Sequence, residues 1–407
     1  MSRGDSLPLS PSVDAIPSID AVPPLPTTLL RTPAFCDMVV GYHRLRLLHD
    51  GAQTFPAMLE AIARASSTIC LETYILRDDH VGQAFACALA ERARAGVEVN
   101  LLYDAWGSSV SGAYVANLQD AGVRVVEFRP VLLALQNRKL LRHVVRRNHR
   151  KSLIVDSRIA FTGGINICGD YAPKDIGSPP PWRDTHLELE GPAAIELQYF
   201  FLRTWRKAKG PALDEPRYSH TGRRPDPRVR VITSDMHRGR AGIRDAYRAA
   251  IKNASRRIWI TNAYFLPSLS LLHALSEAAK RGVDVRLMVA GTTDVPAVLH
   301  ASRSIYGRLL ESGARLYEWN GRVLHAKTAV IDGHWSTVGS SNLDMQSLRQ
   351  NLEANALIED ERFALAMEAM FLGDLPHCEE VTATSWGKRP PWERAASWAA
   401  YLFRDWL

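Results

Sequence analysis

The chain has 407 residues, 46% of them hydrophobic and 23% charged, a balance typical of a folded, soluble protein. Its net charge of +7 favours an anionic partner such as nucleic acid, anionic lipid or a phosphorylated substrate, without choosing among them. The five cysteines lack the spacing of a disulfide framework or a zinc site, which predicts a reducing, cytosolic compartment. No apolar run reaches the roughly 18–20 residues of a spanning helix and no signal peptide is evident, so any membrane contact is predicted to be peripheral.

The predicted elements begin after a disordered arm, residues 1–37, which is rich in Pro, Ser and Asp. Apolar spacing then predicts a helix in "TFPAMLEAIARASS" and a buried strand in "TICLETYIL". The stretch "HVGQAFACALAERARAGVEVNLLYDAWGS" predicts a helix, a Gly turn and a strand. The same order recurs in "VANLQDAGVRVVEFRP".

The second half of the chain repeats this order. "ERARAGVEVNLLYDA" aligns without a gap with "EAAKRGVDVRLMVAG", and "LQDAGVRVVEF" aligns with "LLESGARLYEW". We therefore predict an internal duplication, with halves at 38–206 and 229–375, a polar linker at 207–228 and an amphipathic tail at 376–407. Alternating strands and helices predict an α/β fold with mainly parallel sheets.

Each half ends in one sparse pattern, HxKxxxxDxxxxxxG(G/S)xN, found in "NHRKSLIVDSRIAFTGGIN" and "LHAKTAVIDGHWSTVGSSN". The pattern residues are His149, Lys151, Asp156 and Asn166 in the first copy and His325, Lys327, Asp332 and Asn342 in the second. Because alternate residues of a strand share a face, the His and Lys of each copy are predicted to face one spot. The Asp and the residues after it predict a hairpin that returns the Asn to that spot.

An imidazole, an ammonium and an amide that converge in this way suit a phosphoryl group. The ammonium neutralises non-bridging oxygens, and the amide donates hydrogen bonds. Imidazole can act as a nucleophile or a general acid near neutral pH. Two copies supply one histidine to attack phosphorus and one to protonate the leaving oxygen.

These motifs, together with "ICLETYIL", "WRDTHLELEGPA" and "SSNLDMQSLRQNLEAN", resemble the phospholipase D superfamily and, within it, bacterial cardiolipin synthases of the B type. The resemblance implies two duplicated α/β halves around a pseudo-twofold axis, with the active site between them. It gives catalytic positions to the two His-Lys-Asp sets and phosphate-binding positions to Asn166 and Asn342. Asp156 and Asp332 are expected to be mainly structural.

The resemblance also implies an acid that orients each catalytic histidine. Glu353 and, less directly, Asp184 of "WRDTH" stand in the expected places; the alternative is that both are ordinary solvated carboxylates. Ser340, where the first half has Gly164, is expected to give an additional hydrogen bond to phosphate. No metal or other cofactor is expected, because the two lysines supply positive charge.

The implied reaction is transfer of a phosphatidyl group from one phosphatidylglycerol to another, giving cardiolipin and glycerol. His149 is expected to be the nucleophile and His325 the acid, although the symmetry permits the reverse. The alternatives are a phospholipase D or transphosphatidylase that uses water, glycerol or phosphatidylethanolamine, a nuclease of the superfamily, and a non-catalytic lipid-binding protein. The expected partners are an anionic phospholipid substrate and a membrane surface, and no nucleic acid partner is expected. The expected location is the cytoplasmic side of the bacterial inner membrane. Acyl-chain preference and oligomeric state stay open.

Two segments are candidates for membrane contact. Residues 131–151 combine Leu and Val with Arg and Lys and contain no acid. After Pro391 the tail predicts a short amphipathic helix with Trp392, Ala395, Ala399, Leu402 and Trp406 along one side. The alternatives are a basic active-site loop for the first segment and a helix docked on the core for the second.

Overall fold

The computed structural model of the chain describes residues 35–130, 146–173, 180–218, 226–234 and 242–402. The elements of the first half are β1 (Phe35–Val40), β2 (His43–His49), α1 (Asp50–Ala63), β3 (Thr68–Thr73), α2 (His80–Arg94), β4 (Glu98–Asp104), α3 (Gly112–Asp120), β5 (Arg124–Phe128), β6 (Ser152–Val155), β7 (Ile159–Gly163), β8 (Thr185–Glu190) and α4 (Pro192–Lys207).

The second half repeats this order from its first helix onward, but among the described residues it has eight helices where the first half has four. Its elements are β9 (Val229–Thr233), α5 (Ile243–Asn253), β10 (Arg257–Asn262), α6 (Leu269–Lys280), β11 (Asp284–Ala290), α7 (Pro296–Arg303), α8 (Tyr306–Glu311), β12 (Arg315–Trp319), β13 (Lys327–Ile331), β14 (Trp335–Gly339), α9 (Met345–Arg349), β15 (Ala354–Glu359), α10 (Glu361–Asp374), β16 (Cys378–Val381), α11 (Ala383–Gly387) and α12 (Pro391–Leu402).

The predicted α/β duplication is confirmed, but the prediction of mainly parallel sheets is wrong. Each half forms one mixed sheet of eight strands, in the orders β1-β2-β8-β7-β6-β3-β4-β5 and β16-β12-β11-β10-β13-β14-β15-β9. Among the described strands, only β3–β4–β5 and β10–β11–β12 pair in parallel. Each motif folds as the predicted hairpin, β6–β7 or β13–β14, and its tight turn forces antiparallel pairing.

A hydrophobic core joins the two sheets. It includes Phe201 and Trp205 from α4, Trp259 from β10 and Phe371 from α10, and the last two rings stack with centroids 5.3 Å apart. Helix α4 also packs against β9 of the second half, and α10 packs against β1 of the first. Each half has a second apolar cluster of its own on the other side of its sheet. The halves are therefore held together by shared buried surface and not by the linker alone.

Parts of four predicted regions lie outside the described residues. These parts are residues 1–34 of the arm, 131–145 of the basic segment, 219–225 of the linker and 403–407 of the tail. Within the part of the chain that the structure describes, no helix has the length and apolar character needed to cross a bilayer.

Candidate active site

The motif aspartates lie at the hairpin turns and fasten the motif strands to the sheet. The Asp156 carboxylate accepts hydrogen bonds from the backbone N–H groups of Ser66, Ser67 and Thr68 and from the Ser66 hydroxyl, at 2.8–2.9 Å. Asp332 makes the equivalent set of bonds in the second half. Burial opposes ionisation of Asp156, but the three backbone donors outweigh it and lower the pKa of its carboxyl group. Both aspartates therefore anchor a motif hairpin to the segment that precedes the neighbouring strand.

Backbone hydrogen bonds between the halves bring each motif histidine beside an acid of the other half. The His149 N–H donates to the carbonyl of Leu352 at 2.9 Å, and the Leu352 N–H donates to that of Arg147 at 2.8 Å. On the other side, the His325 N–H donates to the carbonyl of Arg183 at 2.7 Å. Leu352 and Arg183 each immediately precede one of the two predicted acids.

The two acids accordingly pair with histidines across the molecule. Nδ1 of His149 lies 2.9 and 3.1 Å from the two carboxylate oxygens of Glu353. Nδ1 of His325 lies 2.7 Å from Oδ2 of Asp184. Both acids are fully buried, so they are not the solvated carboxylates of the alternative interpretation. Because Nδ1 is engaged in each pair, Nε2 is the nitrogen available to a substrate.

The two motif lysines are buried beside the histidines. Nζ of Lys151 donates to the backbone carbonyl of His149 at 2.7 Å, and Nζ of Lys327 donates to that of His325. Burial lowers the pKa of Lys151 to about 7 and that of Lys327 to about 8, and the positive charge of Lys327 contributes to the shift at Lys151. Two ammonium groups that are this poorly solvated form an environment in which an anion is strongly favoured.

Burial also controls the protonation of the histidines and acids. It lowers the pKa of His149, against the opposing charge of Glu353. Burial and the charges of the two lysines lower the pKa of His325 well below its ordinary value. Burial raises the pKa of Asp184 to about 6, against the opposing charge of Lys327. Asp344, which the sequence interpretation missed, is buried close to the second motif, and burial raises its pKa to about 7.

The residues expected to bind phosphate differ in what they contact. The amide of Asn166 is engaged within the protein, since its Oδ1 accepts from the Ile75 N–H at 3.0 Å and its Nδ2 donates to Tyr171 Oη at 2.9 Å. Asn342 is also buried, but its Oδ1 has no hydrogen-bond partner among the described residues. The Ser340 hydroxyl donates to the Glu353 carboxylate at 2.5 Å, so its contact is with the orienting acid instead of the phosphate position.

Two tyrosines at equivalent positions, both missed from the sequence, cover the His-Lys pairs. The Tyr74 ring lies edge-to-face with His149, with centroids 4.8 Å apart, and 5.1 Å from Nζ of Lys151. The Tyr264 ring lies 5.9 Å from Nζ of Lys327. Each tyrosine follows the first parallel strand of its half, in "ETYIL" and "NAYFL". The alignment of the two repeats could have identified both.

His325 has further aromatic neighbours that the symmetry of the motifs does not predict. Tyr171 Oη lies 3.1 Å from Nδ1 of His325. The ring of Trp182 lies 5.5 Å from the same imidazole, centroid to centroid. The surroundings of His325 are therefore more aromatic than those of His149, and the two half-sites are not equivalent.

Comparison with known proteins assigns the family. Residues 58–171 and 247–375 match the family described as cardiolipin synthase, PLD-like domain, and these segments contain both motifs and more than half of the chain. The chain belongs to the cardiolipin synthase family. The predicted membership of the phospholipase D superfamily is confirmed, and with it the enzyme class, phosphatidyltransferase.

Curated relatives of this family match most of the chain. Cardiolipin synthase B of Salmonella typhi is 38% identical over 374 residues, which are 89% of this chain and 87% of the relative. Cardiolipin synthase of Halalkalibacterium halodurans is 37% identical over 343 residues, which are 83% of this chain and 67% of the relative. The similarity to the B type agrees with the prediction from the sequence.

Solved structures of other proteins show the same fold. The phosphatidylserine synthase of Haemophilus influenzae superposes with a TM-score of 0.67 at 14% identity, over 89% of this chain and 95% of that one. At this identity the likeness concerns the fold alone. Across the described ranges of this cardiolipin synthase family member, no group of three or more His, Cys, Asp or Glu side chains is arranged to hold a metal ion.

Proposed function

We propose that the chain makes cardiolipin by transferring a phosphatidyl group from one phosphatidylglycerol to a second, with release of glycerol. The observation that carries the proposal is the pair of buried histidines, each held at Nδ1 by a carboxylate from the other half, with two lysines beside them. The two relatives named above are cardiolipin synthases, and this chain matches each of them over most of its length, which supports the proposed substrate.

In the first step, Nε2 of neutral His149 attacks the phosphorus of the first phosphatidylglycerol. A P–N bond forms and the P–O bond to the departing glycerol breaks, while protonated His325 gives its proton to the glycerol oxygen. The product is a phosphatidyl-histidine at His149. Glu353 supports this role because it accepts a hydrogen bond from Nδ1–H of His149, which leaves the lone pair on Nε2.

In the second step, the terminal hydroxyl of another phosphatidylglycerol takes the place of the glycerol. His325, now neutral, accepts the hydroxyl proton while the oxygen attacks phosphorus. A P–O bond forms, the P–N bond breaks, and His149 is restored. Water in place of the hydroxyl would give phosphatidic acid, so exclusion of water decides the product.

The phosphodiester is itself part of the catalytic electrostatics. Its negative charge favours the charged forms of Lys151, Lys327 and His325, whose pKa values burial lowers. The substrate therefore restores the ammonium groups that neutralise its non-bridging oxygens and the imidazolium that protonates its leaving group. Asn342 is the side chain proposed to donate a hydrogen bond to the same oxygens.

We further propose a peripheral position at the cytoplasmic face of a bacterial inner membrane, with no nucleic acid partner. The substrate class and the bacterial relatives support a membrane location. Three described cysteines, Cys70, Cys168 and Cys378, are free thiols, which is in keeping with a reducing compartment.

Product analysis tests the function. Purified protein is mixed with phosphatidylglycerol micelles in the presence of EDTA, and the lipids are identified by mass spectrometry. Cardiolipin and glycerol in equal amounts are expected. Phosphatidic acid without cardiolipin would make the chain a phospholipase D, and no product from phosphatidylglycerol alone would contradict the proposed substrate pair.

Trapping of the intermediate tests the roles of the histidines. Phosphatidylglycerol carries the label in its phosphate, so that the label stays on the histidine even if base removes the acyl chains. The reaction is stopped by rapid alkaline denaturation, because phosphohistidine survives base better than acid. His325→Ala is expected to retain slow labelling of the protein, and His149→Ala to abolish it. Labelling of His149→Ala alone would reverse the assignment.

A further inference from the structure

Helix α12 turns an apolar face to the solvent. The exposed fractions of Trp392, Trp398 and Leu402 are 67%, 64% and 56%. Ala395 and Ala399 are exposed on the same side. At 100° per residue these five positions fall within about 120° of the helix circumference. We call them the α12 outer face.

The opposite side of the helix is attached to the protein. Ser397 is buried, and Tyr401 packs against the apolar cluster of the second half. The whole helix lies against α7. One side of α12 is therefore docked on the core, as the alternative interpretation expected. Trp392 and Leu402, which were predicted to share a face, point away from the core, and the predicted Trp406 lies outside the described residues.

Helix α12 is linked to the surroundings of Lys327 through α7. Helix α7, on which α12 packs, starts at Pro296, just after Asp294. The Asp294 carboxylate accepts a hydrogen bond from the hydroxyl of Tyr264, which is the tyrosine beside Lys327. Helix α7 therefore connects α12 with the tyrosine beside Lys327.

The first half places another exposed tryptophan beside its own motif. Trp106, in the loop after β4, is 60% exposed, and the Arg147 guanidinium lies 5.4 Å from its ring. The carboxylate of Asp104, at the end of β4, accepts from the backbone N–H groups of both Trp106 and Asn148. Exposed tryptophan thus occurs beside the first motif and, in the second half, on the helix that packs against α7.

Charge and size favour a lipid surface over a protein partner. Lys388 and Arg394 are exposed at the start of α12, next to the apolar face. Tryptophan beside basic side chains suits the headgroup region of an anionic bilayer. A helix of 12 residues is about 18 Å long, and one face of it is small beside the roughly 800 Å² per partner of a stable protein interface.

We propose that the α12 outer face docks on the surface of an anionic phospholipid bilayer and orients the active site toward it. The proposal rests on the proposed function, since a lipid substrate has to reach the buried histidines from a membrane. Trp392, Trp398 and Leu402 enter the headgroup region, and Arg394 contacts lipid phosphate. The helix acts as a docking element and takes no part in the chemistry.

Vesicle flotation tests the docking. The variant Trp392→Ser/Trp398→Ser/Leu402→Ser is expected to bind phosphatidylglycerol-containing vesicles at least tenfold more weakly than the wild type, with an unchanged melting temperature. The control Tyr199→Ser/Leu365→Ser removes side chains that are 57% and 66% exposed on α4 and α10. Unchanged binding of the triple variant, or an equal loss in the control, would overturn the proposal.

Two further readouts separate docking from catalysis and from self-association. On short-chain phosphatidylglycerol below its micelle concentration, the triple variant is expected to match the wild-type rate. If neither protein makes cardiolipin there, the proposed function fails, while flotation still decides the docking. If light scattering shows a wild-type dimer that the substitutions convert to a monomer without loss of vesicle binding, the face is an interface between copies and the docking proposal is wrong.

Discussion

Substitution of Glu353 by Gln examines the contact between the halves at the catalytic centre. The amide has the shape of the carboxylate but no charge, and only one of its ends can accept a hydrogen bond. The bond to Nδ1 of His149, 2.9 Å long and fully buried, loses its charge assistance, and the Ser340 hydroxyl loses an acceptor. A hydrogen bond to a charged group contributes about 1.5–3 kcal/mol, which corresponds to about a 10- to 150-fold lower kcat.

The pH profile distinguishes this effect from a general structural defect. The negative charge of Glu353 raises the pKa of His149, Lys151 and Lys327, so its removal lowers all three. The alkaline limb of kcat/KM is therefore expected to move to lower pH in Glu353→Gln.

Short-chain phosphatidylglycerol is the substrate for this assay, and Glu91→Gln, at an exposed carboxylate on α2, is the matched control. Thermal melting of both variants shows that they are folded. A kcat within twofold of the wild type, with an unchanged profile, would refute the proposed orientation of His149 by Glu353.

Three other predictions follow from the geometry. Wild-type kcat/KM is expected to fall as pH rises through about 7–8, because Lys151 and Lys327 lose their protons; a level profile to pH 10 would contradict the lowered pKa values. Asp156→Ala is expected to lower the free energy of unfolding in urea by about 3 kcal/mol at pH 7, because four hydrogen bonds are lost at a residue with φ of 50°. The difference should become smaller as pH falls through the lowered pKa of Asp156, and equal stability at pH 7 would count against the prediction. Tyr171→Phe removes the hydroxyl 3.1 Å from Nδ1 of His325 and is expected to reduce kcat about fivefold. An unchanged kcat would show that this hydrogen bond does not contribute to catalysis.

The sequence was sufficient for features that depend on local pattern. The repeat of helix, Gly turn and strand predicted the duplication, and the residues around each motif Asp predicted a hairpin. Tight turns and strand periodicity are determined by neighbouring residues, so they can be inferred from one chain. The same reasoning predicted α12 as a helix after Pro391.

Features that depend on long-range packing could not be predicted in this way. The mixed sheet order places β6 beside β3, and nothing in either segment specifies that neighbour or its direction. The partners of the two acids depend on the backbone bonds at Leu352 and Arg183, which join segments far apart in the chain. Sequence spacing identified Glu353 and Asp184 as orienting acids but could not assign each to the histidine of the other half.

This exchange of partners means that neither half contains a complete set of catalytic contacts. His149 needs an acid from the second half, and His325 needs one from the first. The shared core between the sheets, which includes Trp205 and Trp259, fixes the relative position of the halves on which both pairs depend. A substitution that loosened this core would be expected to impair both histidines together.

The two half-sites differ in a way that fits two chemical roles. At Gly164, an added Cβ would lie 2.1 Å from a carboxylate oxygen of Asp184, whereas the equivalent Ser340 donates its hydroxyl to Glu353. Asp184 therefore occupies the volume that a serine side chain takes in the other half, and a single substitution cannot make the sites equal. Burial raises the pKa of Asp184 to about 6 and lowers the pKa of His325, so burial disfavours the charged form of both partners in this pair. Glu353 instead accepts hydrogen bonds from both the Ser340 hydroxyl and the His149 imidazole, which suits an acid that holds a nucleophile in place.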